Sequence, residues 1–181
     1  MEVKVRQLKE QIQFYTQEMK RLIEMLQMPE HIQLISYFTT SFNISYIAEQ
    51  ESLCLGSYHI QNIGNRPIMN PHFCLKLPPN SPFTFSGRYV YQHFAPNLKG
   101  QSSWERTNDA ANNEEYWLKP IGKPILAVGE TLTFSQFQIK WLHDLPYSGS
   151  ITGVTYCDEL PEGVAVLNPI NLNGVKEESH A

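Results

Sequence analysis

Ile32-Gln33-Leu34-Ile35-Ser36-Tyr37-Phe38-Thr39-Thr40-Ser41-Phe42-Asn43-Ile44-Ser45-Tyr46 is the stretch on which the fold turns. Ile32, Leu34, Phe38, Phe42, Ile44 and Tyr46 fall on even positions, with Gln33, Thr39, Ser41, Asn43 and Ser45 opposite them. Successive side chains of a strand point to opposite faces, so the pattern predicts a strand with one buried face. It reads as one long strand, or as two joined by a small irregularity near Thr39-Thr40.

Upstream of this stretch the period is different. Residues 2–27 hold no Gly or Pro and are rich in Gln, Glu, Lys, Leu and Met, which are good helix formers. Val5, Leu8, Ile12, Tyr15, Met19, Leu22 and Leu26 are spaced alternately three and four apart, and Met1 extends the series backward. That is a heptad seam, and it predicts an N-terminal coiled-coil helix that ends before Pro29, which cannot continue the helical ladder. The flanking positions Lys9, Gln11, Thr16, Glu18, Ile23 and Met25 carry no complementary Glu/Lys pairing, so a dimer and a trimer are both open. Docking of the stripe on the chain's own domain is the competing reading.

Downstream, strand candidates follow one another between turn signals. They run over 53–63, 72–77, 83–85, 88–91, 125–128, 132–141, 151–157 and 164–172. Gly64-Asn65-Arg66-Pro67, Pro78-Pro79-Asn80-Ser81-Pro82, Gly129-Glu130 and Asp158–Gly163 separate some of them. Leu132 and Phe134 sit on even positions but Phe137, Ile139 and Trp141 on odd ones. One extra residue swaps the faces of a strand, so a β-bulge is expected near Ser135-Gln136. Residues 95–115 are polar and weakly periodic, and read as one long loop of the kind that tends to be functional.

Many short strands without βαβ alternation predict a mainly β chain, an antiparallel β-sandwich preceded by the coiled-coil helix. The expected division is a helix over 1–28, a sandwich over 29–175 and a frayed tail over 176–181. Residues 57–71, with Asn62-Ile63-Gly64-Asn65 between two strand candidates, and Val128-Gly129-Glu130-Thr131-Leu132-Thr133-Phe134 resemble immunoglobulin-like adhesion and repeat domains. That resemblance covers about residues 50–140 and implies an immunoglobulin-like form of the sandwich.

Composition narrows the functional classes. The 181 residues are 41% hydrophobic and 18% charged with a net charge of −4, which suits one globular domain and an appendage and lacks the basic footprint of a nucleic-acid binder. No apolar run is long enough to span a membrane, and the N-terminus lacks the apolar region of a signal peptide, so a cytoplasmic location or a place in an assembled particle or surface layer is expected. Cys54, Cys74 and Cys157 are far apart and odd in number. They read as buried thiols, with one disulfide left open.

No nucleophile elbow, phosphate loop or zinc helix motif is present, and neither a catalytic residue nor a cofactor is expected. His72 and Cys74 share a strand face, but a metal set would need His59, His93, His143 or Cys157 to join them through the fold. Asp109, Glu114 and Glu115 lie in the long loop, and His143-Asp144 precedes Pro146; both read as solvated loop positions. Trp104, Tyr116 and Trp117 either cover the core or form an exposed recognition platform. The expectation is therefore a non-enzymatic structural or interaction protein that oligomerises through the seam and presents a sandwich. Its expected partners are itself and another protein or a glycan; a glycan- or ligand-binding module using residues 95–118 is the alternative.

Overall fold

The computed structural model describes residues 2–26, 29–47, 49–91, 103–142 and 146–175. Residues 95–102 of the expected long loop, His143-Asp144 and the tail at 176–181 lie outside them, as do the side chains of Val5, Met25 and Leu26. The chain divides into two units, Met1–His31 and Ile32–Ala181.

The first unit carries one helix, α1, over Glu2–Leu26. Leu8, Ile12, Tyr15, Met19 and Leu22 of the seam are between 53% and 64% exposed. Thr16 donates from Oγ1 to the carbonyl of Ile12 at 2.7 Å, the back-bond by which a threonine satisfies its hydroxyl inside a helix. Phe14, outside the heptad register, is also exposed and meets Tyr15 edge-on at 5.7 Å. No helix among the described residues is long and apolar enough to cross a membrane.

The second unit is built from antiparallel sheets. In chain order its strands are β1 Leu34–Asn43, β2 Glu51–Asn62, β3 Ile68–Met69, β4 His72–Lys76, β5 Thr84–Ser86, β6 Val90–Tyr91, β7 Trp104–Arg106, β8 Glu115–Pro120, β9 Ile125–Leu126, β10 Thr131–Leu142, β11 Tyr147–Cys157, β12 Leu160–Ala165 and β13 Ile170–Gly174. A four-stranded sheet runs β1-β2-β10-β5, and a larger one runs β12-β11-β4-β8-β7-β6 with β13 also on β11. β3 and β9 form a small separate pair, and the parallel β6–β7 pair is an exception to the antiparallel pattern.

Inward side chains of the two sheets meet in one core. Tyr58 of β2 stacks on Phe73 of β4 at 4.3 Å, and Phe85 of β5 lies 4.4 Å from Tyr116 of β8. The Tyr58 hydroxyl reaches across the core: it donates to Ser36 Oγ at 3.0 Å and, its one proton spent, accepts from Thr155 Oγ1 at 2.9 Å. All three residues are fully buried, so each hydroxyl has its partner where water is excluded. Tyr58 also lies over Gly153, where a Cβ would stand 2.5 Å from its ring.

The bulge is where parity placed it. The β10–β2 register shifts between Phe134 and Phe137, with Gln136 at a positive φ of 58°. Leu132 and Phe134 before it, and Phe137, Ile139 and Trp141 after it, are all buried on the same side. Asn62, in the motif that carried the family resemblance, is buried and ties its own turn: its amide donates to the carbonyls of Arg66 and Leu126 and accepts from Gly64 N.

Three expectations are corrected. β1 is one unbroken strand, the first of the two forms expected, but it stops at Asn43, so Ile44 and Tyr46 belong to the following loop. Phe42 is 47% and Tyr46 81% exposed, because the inner face is covered only as far as Phe38. The expected strand over 164–172 is two strands, and the expected separator Asp158–Gly163 supplies most of β12. Only Asp158-Glu159 turns, with Cys157 opposite Leu160 across the hairpin.

Candidate functional site

Alternation along β4, β8 and β11 splits their side chains between the core and the outer face of the larger sheet. On β4, Phe73 and Leu75 point inward, which sends His72 and Lys76 outward. On β8, Tyr116 and Leu118 point inward, which leaves Glu115 and Trp117 outside. On β11, Thr155 and Cys157 are buried and Tyr156 is half-buried between them. The pairings Tyr156 opposite His72, Trp117 opposite Cys74 and Glu115 opposite Lys76 then bring these outer side chains together.

The result is a half-exposed aromatic cluster. Trp117 lies 5.2 Å from Tyr156, Tyr156 lies 5.6 Å from His72, and His72 lies 6.3 Å from Trp117, with interplanar angles of 26°, 19° and 34°. Beside it, Lys76 Nζ meets Glu115 Oε1 at 2.9 Å, and Trp117 donates from Nε1 to Glu115 Oε2 at 3.1 Å. The hydrogen bond from Lys76, then that from Trp117, holds the Glu115 carboxyl below its ordinary range, and the bond to Glu115 raises the Lys76 ammonium. His72 Nδ1 stands 3.0 Å from the carbonyl of Asn70. A carbonyl only accepts, so Nδ1 is the donor of this bond.

Tyr156 is fixed from its other side by β12. Gly163 adopts a φ of +77°, and a Cβ there would come within 2.6 Å of both Tyr156 Cε1 and Val154 Cγ1. Only a glycine lets the β12 backbone lie this close to the ring.

Of the three aromatics singled out in the sequence, Trp117 alone is on this surface. Trp104 is 2% and Tyr116 4% exposed; both pack in the core, Trp104 against Phe73 and Phe134, so neither offers a ring to solvent. The described part of the expected loop is ordered rather than loose. β7 and β8 form a hairpin, and Arg106, buried, gathers the connection: Nε donates to Asn108 Oδ1, and Nη2 donates to the carbonyls of Asp109, Asn112 and Glu115. Its guanidinium lies 4.3 Å over the Tyr116 ring. Asp109 Oδ1 accepts from Ala111 N, and Asn112 Oδ1 accepts from Glu114 N and Glu115 N, all within the same turn.

His72 and Cys74 do share the outer face of β4, but Cys74 is fully buried there. His59 lies on the outer face of the other sheet, between the hydroxyls of Thr39 and Thr133 and stacked on Tyr37 at 4.8 Å. Among the described residues no group of three or more His, Cys, Asp or Glu is placed to hold a metal. The three cysteines are free and buried, and burial pushes Cys54 and Cys157 up to about 11 and Cys74 up to about 12. At neutral pH they are protonated thiols and poor nucleophiles. Sequence reasoning missed His72 and Tyr156 as partners of Trp117, since their meeting depends on which strands pair.

No family model matches the sequence, and no curated protein matches it. Two solved structures of a GH20 exo-β-N-acetylglucosaminidase from Vibrio harveyi, one an inactive variant and one with N-acetylglucosamine, are similar over 77% of this chain, at 12% and 13% identity and TM-scores of 0.31 and 0.30. This chain spans 17% of the length of those enzymes. A likeness of that size carries neither fold nor function across.

Proposed function

We propose that this chain is a non-enzymatic structural or interaction protein: its N-terminal helix assembles two or three copies as a coiled coil, and each copy presents an immunoglobulin-like β-sandwich. The observation that carries the reading is the row of five large apolar side chains, Leu8, Ile12, Tyr15, Met19 and Leu22, at 53–64% exposure with heptad spacing. A helix docked on a globular surface needs a 3.6-residue period, whereas a 3.5-residue seam matches a second helix of the same kind. Burying each such side chain is worth about 1.5–3 kcal/mol, enough over five positions to offset a large share of the association cost.

Two sheets with a shared core, and the turn tied by Asn62, support the immunoglobulin-like reading of the second unit. Multi-copy display suits a phage, spore or cell-surface assembly or an intracellular scaffold; a trimer favours the first group and a dimer the last. Light scattering on the full chain tests the proposal. A dimer or trimer that becomes a monomer in the Ile12→Lys, Met19→Lys double variant, with its β-sheet circular dichroism unchanged, supports it. A monomeric parent chain overturns it.

A further inference from the structure

The outer face of the larger sheet carries a built arrangement that assembly through the helix does not use. Trp117, Tyr156 and His72 arrive from three strands, and each ring is oriented by something else. Glu115 holds the Trp117 indole N–H, Asn70 O holds the His72 ring, and the Gly163 backbone backs Tyr156. Rings positioned in this way lose little side-chain entropy on binding a ligand, which is the property of a pre-formed site.

The polar groups around the rings decide what chemistry fits. Lys76 and Glu115 neutralise one another at 2.9 Å, so the site offers no net charge to attract an ion. They present instead a donor and an acceptor side by side. A hydroxyl both donates and accepts, and it can give its proton to Glu115 while taking one from Lys76. Tyr156 adds a hydroxyl. A ligand with an apolar ring face to lay against aromatic carbons and a rim of hydroxyls meets both requirements, and that description is a pyranose. A protein partner fits less well: a standard interface covers about 800 Å² per side, far more than three rings beside an ion pair supply.

We infer that the Trp117–Tyr156–His72 cluster with the Lys76–Glu115 pair is a binding site for a neutral saccharide, one sugar ring packing against the aromatics with its hydroxyls on the ion pair. The site is independent of the assembly reading and works equally in a monomer.

The test is titration of the full chain with four soluble hexasaccharides, cello-, chito-, malto- and xylo-oligosaccharide, followed by calorimetry and tryptophan fluorescence. Because Trp104 and Trp141 are buried, a fluorescence change on binding reports mainly Trp117. The expected result is saturable binding of at least one probe with a Kd tighter than about 10 mM. It weakens about tenfold or more in Trp117→Ala and several-fold in Glu115→Gln, while Thr39→Ala, on the other sheet, leaves it unchanged. If Trp117→Ala fails to fold, Tyr156→Phe with Lys76→Met replaces it and is expected to weaken binding by a similar route. Binding of none of the four probes, or binding that the folded variants leave intact, overturns the inference.

Discussion

Asn168 closes the open edge of β1 at Phe38: Phe38 N donates to Asn168 Oδ1 and Asn168 Nδ2 donates to Phe38 O, each at 2.8 Å. One residue earlier, Leu167 N donates to Ser36 O at 2.8 Å. The segment between β12 and β13 thus stands in for a further strand along an edge that would otherwise be a template for another chain. Asn168→Ala leaves both Phe38 groups without their partners and is expected to lower stability by about 1–3 kcal/mol. Asn168→Asp keeps the acceptor and loses the donor, and falls between. Urea denaturation measures the order; equal stability of parent and alanine variant would show that the edge closure contributes nothing.

Gly163→Ala is expected to destabilise through two effects that act together. The alanine has to adopt a φ of +77°, and its Cβ has to displace Tyr156 and Val154 from 2.6 Å. The strain alone is about 1–3 kcal/mol. Thermal unfolding should show a lowered Tm and the near-ultraviolet circular dichroism a changed Tyr156 environment. An unchanged Tm would mean that β12 is free to shift.

Replacing Arg106 by Lys keeps the charge and discards the planar fork that reaches Asn108 and the three carbonyls. Amide exchange at Ala111, Glu114 and Glu115 should then accelerate, because Arg106 holds the chain that presents their N–H groups to Asp109 and Asn112. Exchange as slow as in the parent would assign the order of this turn to its Asx bonds alone.

The three thiols and Tyr58 predict a loss of stability at alkaline pH. Burial raises each from its ordinary value, 9.0 for the thiols, to about 11 or 12 for Cys54, Cys157 and Cys74, and upward for Tyr58. Above pH 9 the unfolded chain therefore binds fewer protons than the folded one, and stability falls as pH rises. The contribution is complete below pH 9 and is lost by about pH 12. Urea midpoints should decline across this window, and a thiol reagent should label the chain only once it unfolds. Rapid labelling of the native protein at pH 8 would contradict the burial.

Much of the fold could be read from side-chain period, because the pleat converts alternation directly into burial. Leu34 and Phe38 on β1 and the whole inner face of β10 follow it. The reading failed where pattern outran its cover, at Phe42, Ile44 and Tyr46, and where a buried polar residue hid a core position, at Ser36, whose hydroxyl accepts from Tyr58. β12 was missed because Pro161 and Gly163 look like loop residues, yet one lies on an edge strand and the other is required by Tyr156. The candidate site was one-third legible. Trp117 could be singled out, but His72 and Tyr156 lie 45 and 39 residues away in the chain, and only the order β11-β4-β8 makes them neighbours.

The bulge in β10 sets how this gene product can change in length. β10 uses twelve residues, Thr131–Leu142, against the eleven from Gln61 back to Glu51. A substitution at Gln136 has to hold a φ of +58°, which glycine, asparagine and aspartate do most easily, whereas its deletion restores an even ladder and turns either Leu132 and Phe134 or Phe137, Ile139 and Trp141 to the solvent. Length in this strand is therefore held more tightly than identity: related chains should keep two residues at 135 and 136, with one that tolerates a positive φ at the second.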